Sequence, residues 1–226
     1  MDTAVSLKNQ GNQAMQRGEW PMAITLYQAA LAVDGEFMPA HYNLGNVYRL
    51  QGRLEEAALA YRKAATLAPD DHEVLVNLGV TLQAMHHDEQ ALIHFEQAAA
   101  LAPAAVEPVV NSALVLGRLG RHEEAMARLT RLLERDPGCA VAHNNLGVLL
   151  LVRKRYPEAE SSFRQALRLQ PDRAEACNNL GNLLTEQERY PEAEAAYREA
   201  LRIQPDFSDA RDNLDHLLRR SGRTTS

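Results

Sequence analysis

"HYNLGNVYRLQGRLEEAALAYRKAATLAP", His41 to Pro69, decides the architecture, because its landmarks recur along the whole chain. It holds Gly45, Ala57, Tyr61, Ala64 and Pro69. Working outward in steps of 34 residues, the glycine place is filled by Gly11, Gly45, Gly79, Ala113, Gly147 and Gly181. The first alanine place holds Ala23, Ala57, Ala91, Ala125, Ala159 and Ala193. Tyr27, Tyr61, Phe95, Leu129, Phe163 and Tyr197 come four residues after each alanine. Ala30, Ala64, Ala98, Leu132, Ala166 and Ala200 follow, and then Gly35, Pro69, Pro103, Pro137, Pro171 and Pro205. A fixed period of this length marks a repeat architecture.

Six copies fit, over residues 4–37, 38–71, 72–105, 106–139, 140–173 and 174–207. Each has two apolar patterns of helical period separated by a turn signal such as "RGEW", "QGRL" or "LGRH", and Pro21, Pro157 and Pro191 stand where a second helix begins. Each copy is therefore predicted to be a helical hairpin. Small residues of the first helix are expected to face alanines of the second, with the aromatic residues filling the gap beside the next copy. One hairpin cannot bury its own apolar face, so stability must come from stacking into one solenoid domain over residues 1–226. Residues 208–221, "SDARDNLDHLLRRS", begin a seventh copy, place Asp215 at the small-residue position and read as a polar capping helix.

The pattern resembles the tetratricopeptide repeat, W-x2-L-G-x2-Y, then A-x3-F, then P, over 34 residues. "HYNLGNVY" (41–48) and "CNNLGNLL" (177–184) carry the match in the first helix. The fourth copy departs most, with Ser112 and Ala113 for Leu-Gly and leucines at 129 and 132. The resemblance implies an all-α fold, a right-handed α-solenoid of six such hairpins with a C-terminal cap, in which first helices line an inner groove.

Composition narrows the function. The chain is 46% apolar and 24% charged, in the range of folded soluble domains, and its net charge of −6 is dispersed, so no basic stripe offers itself to nucleic acid. The most apolar region, Ala98 to Leu116, is interrupted by Pro103, Glu107 and Pro108, and does not supply the roughly 20 apolar residues of a membrane span. The N-terminus has neither a basic start nor an apolar run, which points to the cytoplasm, or to the periplasm if a leader has been removed. Cys139 and Cys177 are too few for a disulfide framework or a zinc site and are expected as free, buried thiols.

Two places before each glycine or its substitute stands an asparagine: Asn9, Asn43, Asn77, Asn111, Asn145 and Asn179, with Asn213 in the cap. Asparagine disfavours helix interiors by several tenths of a kcal/mol, so another role must retain it. The places just before it have diverged: Lys8, Tyr42, Val76, Val110, Asn144 and Asn178. Helical periodicity puts both places beside the packing stripe. An amide carries both donor and acceptor and can pair with peptide main chain whatever its side chains are, which suits an extended protein or peptide partner. In members of the family such as the repeat domain of O-linked N-acetylglucosamine transferase, the resemblance implies that asparagines here grip peptide main chain. The competing reading has each amide bond a neighbouring helix and set the angle between copies.

Around this ladder, Val76, Val80, Val110, Leu114, Val148, Leu151 and Val152 make the middle of the groove apolar, whereas Asn12, Asn46, Asn182 and Arg49 make its ends polar. A segment with a hydrophobic centre is the implied ligand, unless these residues pack under the following hairpin. Lys8, Asn12 and Asn43 match half of the carboxylate clamp of chaperone-binding members, but Glu73 and Asn77 stand where that clamp needs cations.

No nucleophile, base and orienting group recur at a catalytic spacing, and "GNQAMQRGEW" lacks the ending of a phosphate loop, so no enzyme activity and no cofactor are expected. His86, His87 and Asp88 fall in a turn without a third metal ligand. Glu55 with Glu56 and Glu123 with Glu124 begin second helices, where carboxylates favour the positive end of the dipole. Non-catalytic binding of an extended segment is the function these features favour. The alternatives are a substrate-recruiting arm of a larger glycosyltransferase and a self-assembling scaffold.

Overall fold

The computed structural model describes residues 3–220. Among these, thirteen helices form and no strand does. They are α1 (Ala4–Gln16), α2 (Trp20–Val33), α3 (Met38–Leu50), α4 (Leu54–Leu67), α5 (His72–Ala84), α6 (Asp88–Leu101), α7 (Val106–Arg118), α8 (His122–Arg135), α9 (Ala140–Val152), α10 (Tyr156–Leu169), α11 (Ala174–Glu186), α12 (Tyr190–Ile203) and α13 (Ser208–Arg220). Odd-numbered helices begin at residues 4, 38, 72, 106, 140, 174 and 208, which reproduces the 34-residue period.

The chain divides into two compact units, Met1–Leu119 and Gly120–Ser226. In the first, α1 pairs with α2, α3 with α4 and α5 with α6, while α2 packs on α3, α4 on α5 and α6 on α7. In the second, α9 pairs with α10 and α11 with α12, while α8 packs on α9, α10 on α11 and α12 on α13. First helices also touch one another, α1 with α3 and α5 with α7 in one unit, α9 with α11 and α11 with α13 in the other. Each unit is thus a stack of helical hairpins.

The turn inside each copy is a Schellman-type stop. One residue turns left-handed, at Gly18, Gly52, His86, Gly120, Lys154 and Glu188, again 34 apart. Around it, the next N–H reaches back five residues, as in Glu19 to the Ala14 carbonyl, Arg53 to Tyr48 and Arg155 to Leu150, each at 2.9 Å. Glycine takes this conformation without Cβ strain, so His86, Lys154 and Glu188 hold it at a cost. Pro21, Pro39, Pro157 and Pro191 sit in first turns, where a missing N–H forfeits nothing.

Packing within a hairpin adds a contact to the one expected. Each aromatic residue lies against the glycine of its own first helix, and Tyr27 also shares a core with Ala40, Leu44 and Val47 of the next copy. A Cβ built on Gly11, Gly45, Gly79, Gly147 or Gly181 would stand 2.5 to 2.6 Å from a ring carbon of Tyr27, Tyr61, Phe95, Phe163 or Tyr197. The rings are at most 2% exposed. The glycines are therefore kept for ring clearance, and the copy with Leu129 at the ring place is also the copy with Ala113 at the glycine place. Trp20, Leu26 and Tyr48 extend one core around Tyr27, Ala30 and Val47.

At the C-terminal end, Ala210, Leu217 and Leu218 of α13 are buried, and Ala210 joins Ala174, Cys177 and Ala200 in a core cluster. Residue 221 of the expected capping helix lies outside the described residues.

Candidate functional site

Buried tyrosines organise the first-helix face. The Tyr27, Tyr61 and Tyr197 hydroxyls donate to the Oδ1 of Asn12 at 2.8 Å, Asn46 at 2.6 Å and Asn182 at 2.8 Å. Where the ring is phenylalanine, the same place holds valine: Val80 with Phe95 and Val148 with Phe163. The polar ends and apolar middle expected of the groove therefore have an internal cause, since a buried phenol needs an acceptor and a phenyl ring needs none. Burial pushes the Tyr27 phenol up to about 12. It also raises Tyr61 and Tyr197, against a hydrogen bond from Arg49 in one case and from Thr185 in the other.

The ladder asparagines connect copies. Asn77 donates through Nδ2 to the Tyr42 hydroxyl at 2.9 Å, Asn179 to Asn144 Oδ1 at 3.0 Å and Asn213 to Asn178 Oδ1 at 3.0 Å. In each case the acceptor stands 35 residues earlier, at the place just before the preceding asparagine. Where that residue is Lys8, which has no acceptor, Asn43 turns to Asn12 Oδ1 at 2.9 Å instead. Where it is Val76, the asparagine is Asn111, which makes no side-chain hydrogen bond among the described residues. Asn145 accepts a 3.4 Å bond from Asn144, and Asn9 is exposed. Sequence reading took the preceding places as freely diverged; three of them are partners of the ladder. Each such bond is worth about 1 kcal/mol net.

Burial sorts the remaining expected contacts. Val76, Val110, Asn144 and Asn178 are at most 6% exposed. These four residues are therefore buried. Lys8, Asn12, Tyr42, Asn46, Arg49, Val80, Val148 and Asn182 are half-buried, as are Asn43, Asn77, Asn111, Asn145, Asn179 and Asn213, while Leu114 and Val152 are exposed. Tyr42 also packs edge-on against Tyr61, with ring centroids 5.9 Å apart. The Arg49 Nε is buried without a partner among the described residues.

A groove of about 440 Å³ opens in the second unit, lined among others by Leu151, Val152, Lys154, Asn182, Asn213 and Arg220. Sequence reasoning anticipated Leu151, Val152, Asn182 and Asn213. It missed Lys154, in the turn after α9, and Arg220, at the end of α13. Lys154 carried one signal, as a lysine at a place where three copies have glycine.

Among the described residues, no group of three His, Cys, Asp or Glu side chains could hold a metal ion, and no helix is long and apolar enough to cross a membrane. In the first unit, His86 Nδ1 and Asp88 are engaged by Arg118, at 2.9 and 3.2 Å. Glu56, Glu124, Glu158 and Glu192 are held below the usual carboxylate range by Arg53, Arg121, Arg155 and Arg189, three residues before each. Both cysteines are free and buried, and burial pushes the Cys177 thiol up to about 11.

Helical hairpins on a 34-residue period, packed second helix on next first helix and closed in five copies by a glycine-on-ring contact, define a repeat-built α-solenoid protein. Two sequence profiles, both described as tetratricopeptide repeat, match residues 8–72 and residues 138–206. The chain belongs to the tetratricopeptide repeat family. No curated protein matches it. Among solved structures, the APC/C hetero-tetramer Cut9-Hcn1 is similar with a TM-score of 0.74 and 20% identity over 96% of this chain. The match takes in 43% of the other chain, so the present chain spans less than half its length. YrrB, a TPR protein with an unusual peptide-binding site, is similar with a TM-score of 0.59 and 23% identity, over 82% of this chain and 96% of YrrB. TTC0263, a thermophilic TPR protein in Thermus thermophilus, reaches 0.69 and 25% identity over 80% of this chain and 98% of its own.

Proposed function

We propose that this chain is a non-catalytic interaction scaffold that holds an extended segment of a partner protein along its first-helix faces, with the ladder asparagines gripping the segment's main chain. The observation that carries this reading is the way the amides are aimed. Asn43, Asn77, Asn179 and Asn213 are each held by an Nδ2 bond to the preceding copy, and their Oδ1 atoms accept no bond among the described residues. An amide locked in one orientation, with its acceptor unused, loses little entropy when it takes a peptide N–H. Holding the scaffold and holding a ligand are therefore compatible duties of one side chain. A peptide-binding site on the similar structure YrrB supports the reading.

The test is selection of binders from a randomised peptide library, followed by titration of a selected peptide and its backbone N-methylated counterpart. Methylation removes main-chain donors and leaves side chains intact, so it is expected to weaken binding about tenfold, near 1.4 kcal/mol. Asn111→Ala is expected to weaken binding with little change in melting. Equal affinity for both peptides, together with unaltered binding by Asn111→Ala and Asn179→Ala, would show that the asparagines serve the scaffold alone.

A further inference from the structure

We propose that the groove of the second unit selects a segment in which an aliphatic residue adjoins an aspartate or glutamate. The inference rests on the peptide-binding reading above and adds the chemistry of the ligand. Three features of the groove converge on it.

The first is charge. Lys154 and Arg220 line the groove and form no ion pair among the described residues, whereas Arg155, Arg164, Arg189 and Arg202 of the same unit each sit on a carboxylate. Arg220 lies over the Tyr190 ring, 5.8 Å from its centroid, which orients the guanidinium without neutralising it. Glu186 also lines the groove and offsets one of the two cations, while His216 adds a ring nitrogen. In a chain of net charge −6, an excess of cations in a groove is a local reversal of sign that favours a carboxylate.

The second is backbone strain. Lys154 holds a left-handed conformation with φ of 56°, at the place where Gly18, Gly52 and Gly120 stand in other copies. Glycine would hold this conformation without strain, as it does at Gly18, Gly52 and Gly120, and the lysine instead brings a cation to the groove. The third is the polarity of the groove's own amides. Asn182 spends its Oδ1 on the Tyr197 hydroxyl and keeps its Nδ2 donors, while Asn213 spends one N–H on Asn178 and keeps its Oδ1. One donor and one acceptor match the C=O and N–H of a passing peptide, beside a patch made by Leu151 and by Val152, which is 56% exposed.

The probe is a randomised, extended peptide library panned on the whole chain, with the bound pool sequenced. Enrichment of Asp or Glu next to Leu, Ile or Val is expected, with loss of binding at raised salt. The double variant Lys154→Glu, Arg220→Glu should reverse the preference to Lys or Arg and weaken the original peptides at least tenfold. Glu188 already occupies the equivalent left-handed place in the next copy, so Lys154→Glu is compatible with folding, which unchanged helical circular dichroism verifies. Enrichment without acidic preference, unaffected by the charge reversal, overturns the proposed ligand chemistry and leaves peptide binding standing. Absence of any enriched peptide overturns both readings.

Discussion

Gly147→Ala isolates the contact on which the hairpins depend. The added methyl carbon would stand 2.6 Å from Cε1, 2.7 Å from Cδ1 and 3.0 Å from Cζ of Phe163. Carbon atoms prefer separations of about 3.5 to 4.0 Å, so the ring would have to retreat by roughly 1 Å. It has nowhere to go, since Phe163, Ala159 and Ala166 are all 0% exposed. Overpacking of this kind costs about 1 to 3 kcal/mol, and three rigid ring atoms put it at or just above the upper end. Better helix propensity returns about 1 kcal/mol, leaving a net loss of about 2 kcal/mol. For a chain of this size that lowers Tm by about 4 to 8 °C. Phe163→Leu alone should cost about 1 to 2 kcal/mol, a partial truncation compared with the larger loss on Phe→Ala. The double variant copies the alanine and leucine of the fourth repeat, and should be no worse than Phe163→Leu alone. A coupling of about 2 kcal/mol therefore separates the sum of the single changes from the pair. Urea titrations followed by circular dichroism, with hydrogen exchange of α9 and α10, measure it. A neutral or stabilising Gly147→Ala, or additive single changes, would refute ring clearance as the reason for the glycine.

Removing the phenol's acceptor in Asn46→Ala should cost about 1 to 3 kcal/mol by stranding the Tyr61 hydroxyl, while Asn46→Val with Tyr61→Phe, the pairing already used by Val80 and Phe95, should recover most of that loss in thermal melts. His86→Gly and Glu188→Gly should each raise stability by about 1 kcal/mol by relieving left-handed strain, and a loss of stability would show that their side chains do more than end a turn. Alkali should also act through Tyr27. Its phenol is held near 12 in the fold against 10.0 when free, so the folded state keeps a proton that the unfolded chain gives up. Its stabilising contribution is complete below pH 10 and is lost as pH rises toward 12. Ultraviolet difference titration should show a late-ionising tyrosine that Tyr27→Phe removes.

How much of this was legible in the residues differs from feature to feature. The hairpins were, because Gly45, Ala57, Tyr61 and Pro69 repeat at a fixed interval and each acts over a few residues. The asparagine ladder was seen as a column, but its partners were not, because Tyr42, Asn144 and Asn178 look unrelated until they are recognised as acceptors. The pairing of Asn12, Asn46 and Asn182 with tyrosines, and of Val80 and Val148 with phenylalanines, was also written in the columns. It reads as ligand specificity until the rings are placed beside them.

Sequence alone settled the period, the helices, their turns and the membership of a repeat family, since helix propensity, proline and side-chain size work locally and the repetition multiplies a weak signal six times. Tertiary structure decided which acceptor each asparagine meets, which valines are covered, and that Lys154 of a turn and Arg220 of the last helix share a groove with Asn182 and Asn213. Those outcomes depend on the angle between stacked hairpins, a sum of many small packing contacts that no single residue encodes.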